Sequence, residues 1–395
     1  MPIDASLVLF AAAALGLAVI GVQYAVLRAH VAGRVDPPRA APPISILKPL
    51  CGLDDGLAEN LASFADLAYQ EYEVVLGVRR ARDAAWEVAL EAVRRWPGRF
   101  RVVIQHGAPG LNPKVNQLVT LARAARHGVL VVSDSNVRVE AGYLAEIAGL
   151  LADGAVGLVT HLIAGVGEAR VGSLMDHLHL AGGITPGLIA AKRLAGRDIV
   201  VGKSMAFRRA DLEAMGGFEA VKDVLAEDYV LGLRVREVLG KRVAFARRPV
   251  QNVSAGRSLG EFAARYQRWS VIQRQAVGPL QYASLALLNP VLIAAVATAL
   301  DPTPVAGACF AGACALKAAL EGASARALRP GGFRAVQLAL VPAKDLVIGG
   351  AWALGLFRRD VAWRGTRLVV GRGTRIEAPA GHGGELSAAE EALRA

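Results

Sequence analysis

The sequence predicts an α/β domain with a mostly parallel sheet, set between apolar helices at both ends of the chain. Three observations predict it. Between residues 44 and 134, apolar β-branched runs alternate with helical stretches, the rhythm of parallel strands joined by crossover helices. The run VLVVSD (129–134) ends abruptly in Asp134-Ser135-Asn136, as a buried strand does when its carboxyl end delivers polar groups to a site. Long apolar segments precede and follow this region, and 54% of all residues are hydrophobic.

The first element is the span 6–27, an uncharged run of 22 residues that is long enough to cross a bilayer as a helix. Asp4 precedes it and Arg28, His30 and Arg34 follow, so the positive-inside rule places the N-terminus outside and the next domain in the cytosol. Basic charge lies after the apolar run and no small-residue cleavage site follows, which favours an anchor over a signal peptide. Residues 34–43 (RVDPPRAAPP) hold four prolines in ten positions and read as an extended linker.

Strands are then expected at 44–50, 74–78, 101–105 and 129–134, separated by helices near 56–67, 83–96 and 113–126. The second half is less regular. Strands at 156–163, 198–209 and 243–247 flank a small-residue-rich segment at 180–197 and a helix at about 227–240, and a polar helix follows at 258–273. Gly202 stands where a close backbone approach is expected.

Beyond residue 277 the chain turns apolar again at 280–300, 303–320 and 335–357. Four full crossings from an outside N-terminus would leave the C-terminus outside, yet Arg358, Arg359, Arg364, Arg367, Arg372 and Arg375 favour the inside. One segment is therefore expected not to span. Pro342, Lys344 and Asp345 interrupt 335–357 and make it the best suspect for a broken or interfacial helix, though 303–320 is short and carries Lys317. The chain accordingly divides into an N-terminal transmembrane anchor (1–33), a cytosolic α/β domain (34–277), C-terminal membrane helices (278–360), and a basic segment with a polar tail (361–395). A bacterial inner membrane is the expected location, with the tail at 379–395 disordered or briefly helical.

The formal charge of +11 raises nucleic acid as a partner, but the basic residues are not interleaved with aromatics, which make up 6% of the chain. Basic residues beside apolar spans suit anionic headgroups instead. Cys51, Cys309 and Cys314 have no spacing for a disulfide framework or zinc, and fit a reduced cytosolic compartment.

Three polar constellations occur in a fixed order: Asp134-Ser135-Asn136, Ala226-Glu227-Asp228-Tyr229, and Arg265-Tyr266-Gln267-Arg268-Trp269. Together they point to sugar transfer from a nucleotide sugar, which needs positive charge on a departing diphosphate and a base for the attacking hydroxyl. Asp134 is the candidate carboxylate for a divalent metal, Mg²⁺ or Mn²⁺, whose shell diphosphate oxygens and water would complete. Ser135 and Asn136 make this a thinned Asp-x-Asp, and a plain turn is the competing role. Asp228, at the mouth of a helix, is the candidate base, or else an acidic first-turn residue. Arg265, Arg268 and Trp269 share a helix whose guanidinium groups suit diphosphate oxygens and whose indole suits sugar or lipid. Lys114, in Asn-Pro-Lys, could contact phosphate or ribose, or be a solvated residue of a Pro-initiated helix. Asp83 could recognise the nucleotide or cap a helix. His177 and His179 have no third ligand at metal spacing and read as structural.

The segments PISILKPL (43–50) with Gly52, NPKVNQL (112–118), SDSNVRV (133–139), AEDYVLG (226–232) and RYQRW (265–269) resemble the processive-type GT-A glycosyltransferases, and most closely the ceramide glucosyltransferases. Trp363-Arg364-Gly365 and Gly371-Arg372-Gly373-Thr374 are similar to the C-terminal segment of that family, so the resemblance covers nearly the whole chain. It implies a GT-A fold, a UDP-sugar donor, a divalent metal, and inverting transfer of glucose to the primary hydroxyl of ceramide at the cytosolic membrane face. It also implies that Asp83 binds nucleotide, Asp134 serves the metal and diphosphate, Asp228 is the base, and Arg265, Arg268 and Trp269 form the diphosphate and acceptor-side signature. Two positions depart from the pattern. Arg79-Arg80-Ala81-Arg82 stands where relatives are more acidic, and Thr185-Pro186 where they carry His-Pro. The hopanoid glycosyltransferases, which move N-acetylglucosamine, share KPLCG and the Arg-Trp ending. Another lipid acceptor, a polysaccharide synthase or a non-catalytic receptor are the remaining alternatives.

Overall fold

The computed structural model describes residues 4–35, 41–363 and 366–377. Arg364, Gly365, residues 36–40 of the proline linker and the tail at 379–395 fall outside them. Contacts divide the chain into two units: one holds the residues up to Ala32, Ala164–Arg197 and Ala255–Gly373, the other Gly33–Ile163, Asp198–Ser254 and the residues from Thr374. The segments 164–197 and 255–277, expected within one continuous α/β domain, thus group with the apolar helices.

The α/β unit is built on a sheet of eight strands: β1 (Ile44–Pro49), β2 (Tyr72–Val78), β3 (Phe100–Ile104), β4 (Val129–Ser133), β5 (Val137–Arg138), β6 (Val156–Val166), β7 (Ser204–Arg208) and β8 (Arg242–Val253), in the order β3-β2-β1-β4-β7-β6-β8-β5. The four strands read as parallel are parallel, with Ile46 opposite both Val74 and Val131. The apolar residues of β1, β2 and β4 are sealed, Ile44, Ile46, Val74, Leu76 and Val131 all at 0% exposure, and each such side chain contributes roughly 1.5–3 kcal/mol. The helices Ala85–Arg95 and Pro113–Ala124 lie within three residues of their expected bounds. The helix Tyr143–Leu151 was not expected, because its run YLAEIAGLL is apolar nearly all round.

Chain direction explains where polar groups converge. From β1 the chain winds outward through β2 and β3, then returns to place β4 on the other side of β1. The carboxyl ends of β1 and β4 therefore flank a topological switch point, the usual ligand crevice of such sheets. Beyond β4 the sheet continues with antiparallel β7, and this pairing brings Ser133 opposite Ser204.

In the other unit, the helices Ala5–Val31, Pro304–Leu328 and Ala335–Gly355 are long and apolar enough to cross a membrane. The segment 335–357 is interrupted at Ala339-Leu340, between the helices Ala335–Leu338 and Val341–Gly355, while the sharp bend lies elsewhere: the helices Pro279–Leu288 and Pro290–Leu300 meet at an angle of 80°. Asn289 caps the second of them through Leu292, and Pro290 opens it without needing an amide hydrogen. Pro342 likewise sits in a helical first turn, where proline is tolerated. Lys344 and Asp345 are paired rather than exposed to lipid, with Lys344 Nζ 2.7 Å from Glu321 and 2.6 Å from Asp345, and Lys317 bonded to Glu321. The segment read as small-residue-rich is helical throughout: Val171–His179, a π-helical turn Leu180–Ile184, then Thr185–Ala195.

Candidate active site

The switch point gathers Asp134, Lys114 and Asp228, three of the residues singled out from sequence. Asp134 follows β4 directly. Its two carboxylate oxygens each face an ammonium group, Lys114 Nζ at 2.9 Å and Lys203 Nζ at 3.0 Å. Burial would raise its pKa, but Lys114 and Lys203 outweigh burial and hold the carboxyl well below the usual carboxylate range. Asp134 is therefore an anion at any working pH.

Lys114 is positioned by its helix. Asn112 is the N-cap, its Oδ1 accepting from the amides of Lys114 at 3.0 Å and Val115 at 3.2 Å, and Pro113 fixes the first turn. From there the Lys114 ammonium reaches Asp134, Glu227 Oε1 at 2.8 Å and the carbonyl of Gly202 at 3.3 Å. Burial would lower its pKa, yet the carboxylates of Asp134, Glu227 and Asp228 raise it. It is not the solvated lysine of the bland alternative.

Asp228 opens the helix Glu227–Glu237. One oxygen accepts the amide of Gly202 at 2.6 Å and the other that of Tyr229 at 2.8 Å. Burial and the neighbouring Glu227 push its pKa up to about 6, against the pull of Lys114 and the two amides. Gly202 permits this approach, because a Cβ there would stand 2.8 Å from Asp228 Oδ2.

Three contributors were not anticipated. Lys203 bonds Asn136 Oδ1 at 2.7 Å as well as Asp134. Glu227 had been read only as the neighbour of Asp228. Lys48, wholly buried at the end of β1, donates to Ser133 Oγ at 3.2 Å and to the Asp134 carbonyl at 2.9 Å, and its ammonium lies 3.9 Å from the centre of the Phe64 ring. Desolvation lowers its pKa to about 7. A lysine ending an apolar strand inside KPLCG was the available signal.

Asp83 lies one residue before the N-cap Ala84; its Oδ1 accepts the amide of Ala85 at 2.9 Å and that of Gly52 at 2.9 Å, tying the loop after β1 to the second crossover helix. Ser135 Oγ bonds Asp54 in the same loop. Among the described residues no group of three His, Cys, Asp or Glu side chains is arranged to hold a metal ion. Asp134 offers an ionised hard oxygen here, which suits a cation that takes most of its shell from phosphate and water.

Arg265, Arg268 and Trp269 belong to the other unit, on the helix Leu259–Val277, which begins with a capping box between Ser258 and Glu261. Arg265 Nε is 3.3 Å from Asp176, whose buried carboxylate also accepts Tyr266 Oη at 2.7 Å and faces Arg257 Nε at 3.7 Å. The Arg265 guanidinium lies over the Trp269 ring at 5.1 Å, and Arg268 donates to the Ala362 carbonyl at 3.3 Å. His177 is bonded to Glu168 at 3.1 Å and His179 packs edge-on against Tyr266, so both serve structural roles.

The chain is 26% identical over 262 residues to ceramide glucosyltransferase 1 of Caenorhabditis elegans, covering 64% of this chain and 53% of that protein. It is 28% identical over 257 residues to ceramide glucosyltransferase 3 of the same organism, covering 64% and 54%. The chain thus spans about half the length of the curated relatives it matches. Among solved structures it is similar to the mannosyltransferase PcManGT from Pyrobaculum calidifontis in complex with GDP-Man and Mn²⁺, at 21% identity and a TM-score of 0.46 over 87% of this chain and 99% of that one. It is also similar to Staphylococcus aureus TarS 1–349, at 14% identity and a TM-score of 0.38 over 84% and 98%. The family description Glycosyl transferase family 21 matches residues 8–376, which include the anchor, the switch-point residues and the Arg-x-x-Arg-Trp helix. The chain therefore belongs to glycosyl transferase family 21.

Proposed function

We propose that the protein transfers glucose from UDP-glucose to the primary hydroxyl of ceramide, with inversion at the anomeric carbon. One observation carries the proposal: a carboxylate with a pKa of about 6 and a permanently ionised carboxylate are linked through one buried ammonium, Lys114. These are the two functions that displacement of a nucleoside diphosphate requires.

Asp228 is mostly ionised at neutral pH and close enough to its pKa to accept a proton efficiently. The amides of Gly202 and Tyr229 fix the carboxylate before the acceptor arrives. As the acceptor oxygen attacks the anomeric carbon, its proton passes to Asp228. Lys114 and Lys203 place two positive charges where charge builds on the departing UDP. Asp134 would hold a divalent cation, which when bound supplies further positive charge to the diphosphate oxygens. Asp83 steadies the loop that would flank the nucleotide, and Arg265, Arg268 and Trp269 serve the diphosphate and acceptor side.

Topology supports a lipid acceptor. Three crossings by Ala5–Val31, Pro304–Leu328 and Ala335–Gly355, with the bent pair re-entrant, put the arginines after residue 357 on the same side as the α/β domain. With the N-terminus outside, that side is the cytosol. The test is incubation of purified protein with radiolabelled UDP-glucose and ceramide. Label in a single-sugar lipid supports the proposal; label in polymer or in no product contradicts it, and preference for UDP-N-acetylglucosamine with a hopanoid acceptor would reassign donor and lipid.

A further inference from the structure

The dipeptide Gly202-Lys203 touches Asp134, Lys114 and Asp228. Its glycine amide holds Asp228 and its glycine carbonyl accepts Lys114. The carbonyl of Lys203 accepts the amide of Asp134 at 3.3 Å, while the Lys203 side chain turns back onto the carboxylate of the same residue. Lys203 thus clamps Asp134 from both backbone and side chain.

The clamp bears on cation binding. A hard dication coordinates through carboxylate oxygens, and both oxygens of Asp134 carry a charge-assisted hydrogen bond. Each oxygen keeps a further lone pair, but a dication taking it would stand beside an ammonium group, and the like charges favour departure of that ammonium. Lys114 is anchored by a second carboxylate, Glu227 at 2.8 Å, whereas the side chain of Lys203 is also bonded to the neutral Asn136 Oδ1 at 2.7 Å. Lysine's flexible stem and compact charge suit such an exchange. Displacement without a new anion would leave an ammonium, a dication and Lys114 around one carboxylate. A nucleoside diphosphate supplies the missing negative charge.

We infer that Lys203 is a resident counter-ion of Asp134 that makes capture of a divalent cation dependent on the donor: its ammonium occupies the carboxylate in the free protein and moves to phosphate oxygens when a nucleoside diphosphate enters. No covalent bond changes; three ionic partners exchange. The inference rests on the UDP-sugar reading above. It differs from simple electrostatic steering in that removing a positive charge strengthens metal binding in the free protein while weakening nucleotide binding.

The experiment measures Mn²⁺ binding by electron paramagnetic resonance, and UDP binding by calorimetry, on the full-length protein in detergent. In the unsubstituted protein UDP should tighten Mn²⁺ by a factor within the usual range of about 5–150, and Mn²⁺ should tighten UDP by the same factor. Lys203→Met should bind Mn²⁺ without UDP about ten-fold more tightly than the parent, bind UDP in EDTA about ten-fold more weakly, and lose most of the coupling. Lys203→Arg, which keeps the charge, should retain the coupling and shows that the methionine result is not misfolding. Unchanged Mn²⁺ affinity in Lys203→Met, with UDP still bound, overturns the inference alone. Absence of UDP binding by the unsubstituted protein overturns the donor reading and the inference with it.

Discussion

The amide of Gly202 donates to Asp228 at 2.6 Å, and the carbonyl of the same residue accepts Lys114 at 3.3 Å. One peptide segment after Val201 thereby sets the candidate base and, through Lys114, the charge on Asp134. A Cβ at position 202 would lie 2.8 Å from the Asp228 oxygen, so the side chain or the loop must shift. Gly202→Ala should lower kcat by about 10²-fold, the cost of misplacing a reacting group by about 1 Å, with UDP affinity nearly unchanged. Steady-state kinetics beside calorimetry checks this; equal kcat would show that the close approach is incidental.

The pH profile follows from the same carboxylate. A base must be ionised to act, and burial together with Glu227 raises Asp228 to about 6. The transfer rate should fall as pH drops through about 6 and level off above it. Glu227→Gln removes the like charge, so the acid limb should move to lower pH. A limb that stays in place in this variant would assign the titration to another group.

How much of this was legible in advance differs between backbone and charge. Strand and crossover periodicity gave β1 to β4 within two residues, because parallel strands sealed on both faces leave long β-branched runs that few other elements share. Asp134, Asp228 and Lys114 could be singled out by their places at a strand end or a helix start. Lys203 could not, since a lysine before an apolar strand resembles any surface charge until β7 pairs with β4 and carries it to Asp134. Lys48 was hidden in the opposite sense: its burial depends on Phe64 and Ser133, which lie far from it in sequence. Lys344 and Asp345 looked like breaks in a span because their partners Glu321 and Lys317 belong to another helix.

Asp176 offers a stability test in the other unit. It is 0% exposed and faces Arg257, Arg265 and Tyr266. Taking its charge away while the arginines remain should cost about 3–5 kcal/mol, the usual penalty for breaking a buried pair. Asp176→Asn should therefore lower the unfolding midpoint of the protein in detergent, and a midpoint equal to the parent's would show that the arginines are held by other contacts.

Membrane sidedness is open to cysteine labelling. Cys51 is exposed and marks the side of the α/β domain. Three crossings predict that a cysteine placed by Arg372→Cys, in a background lacking Cys309 and Cys314, reacts with an impermeant maleimide from the same side as Cys51. Labelling from opposite sides would require the bent pair Pro279–Leu288 and Pro290–Leu300 to cross as a fourth span.

The most direct test of the central claim, that Asp228 accepts the proton of the acceptor hydroxyl, is the kinetics of Asp228→Asn with UDP-glucose and ceramide, measured together with UDP affinity. The account predicts that turnover falls by about 10²–10⁴-fold while UDP binds nearly as in the parent protein. Weakened UDP binding with turnover preserved at saturating donor would contradict it.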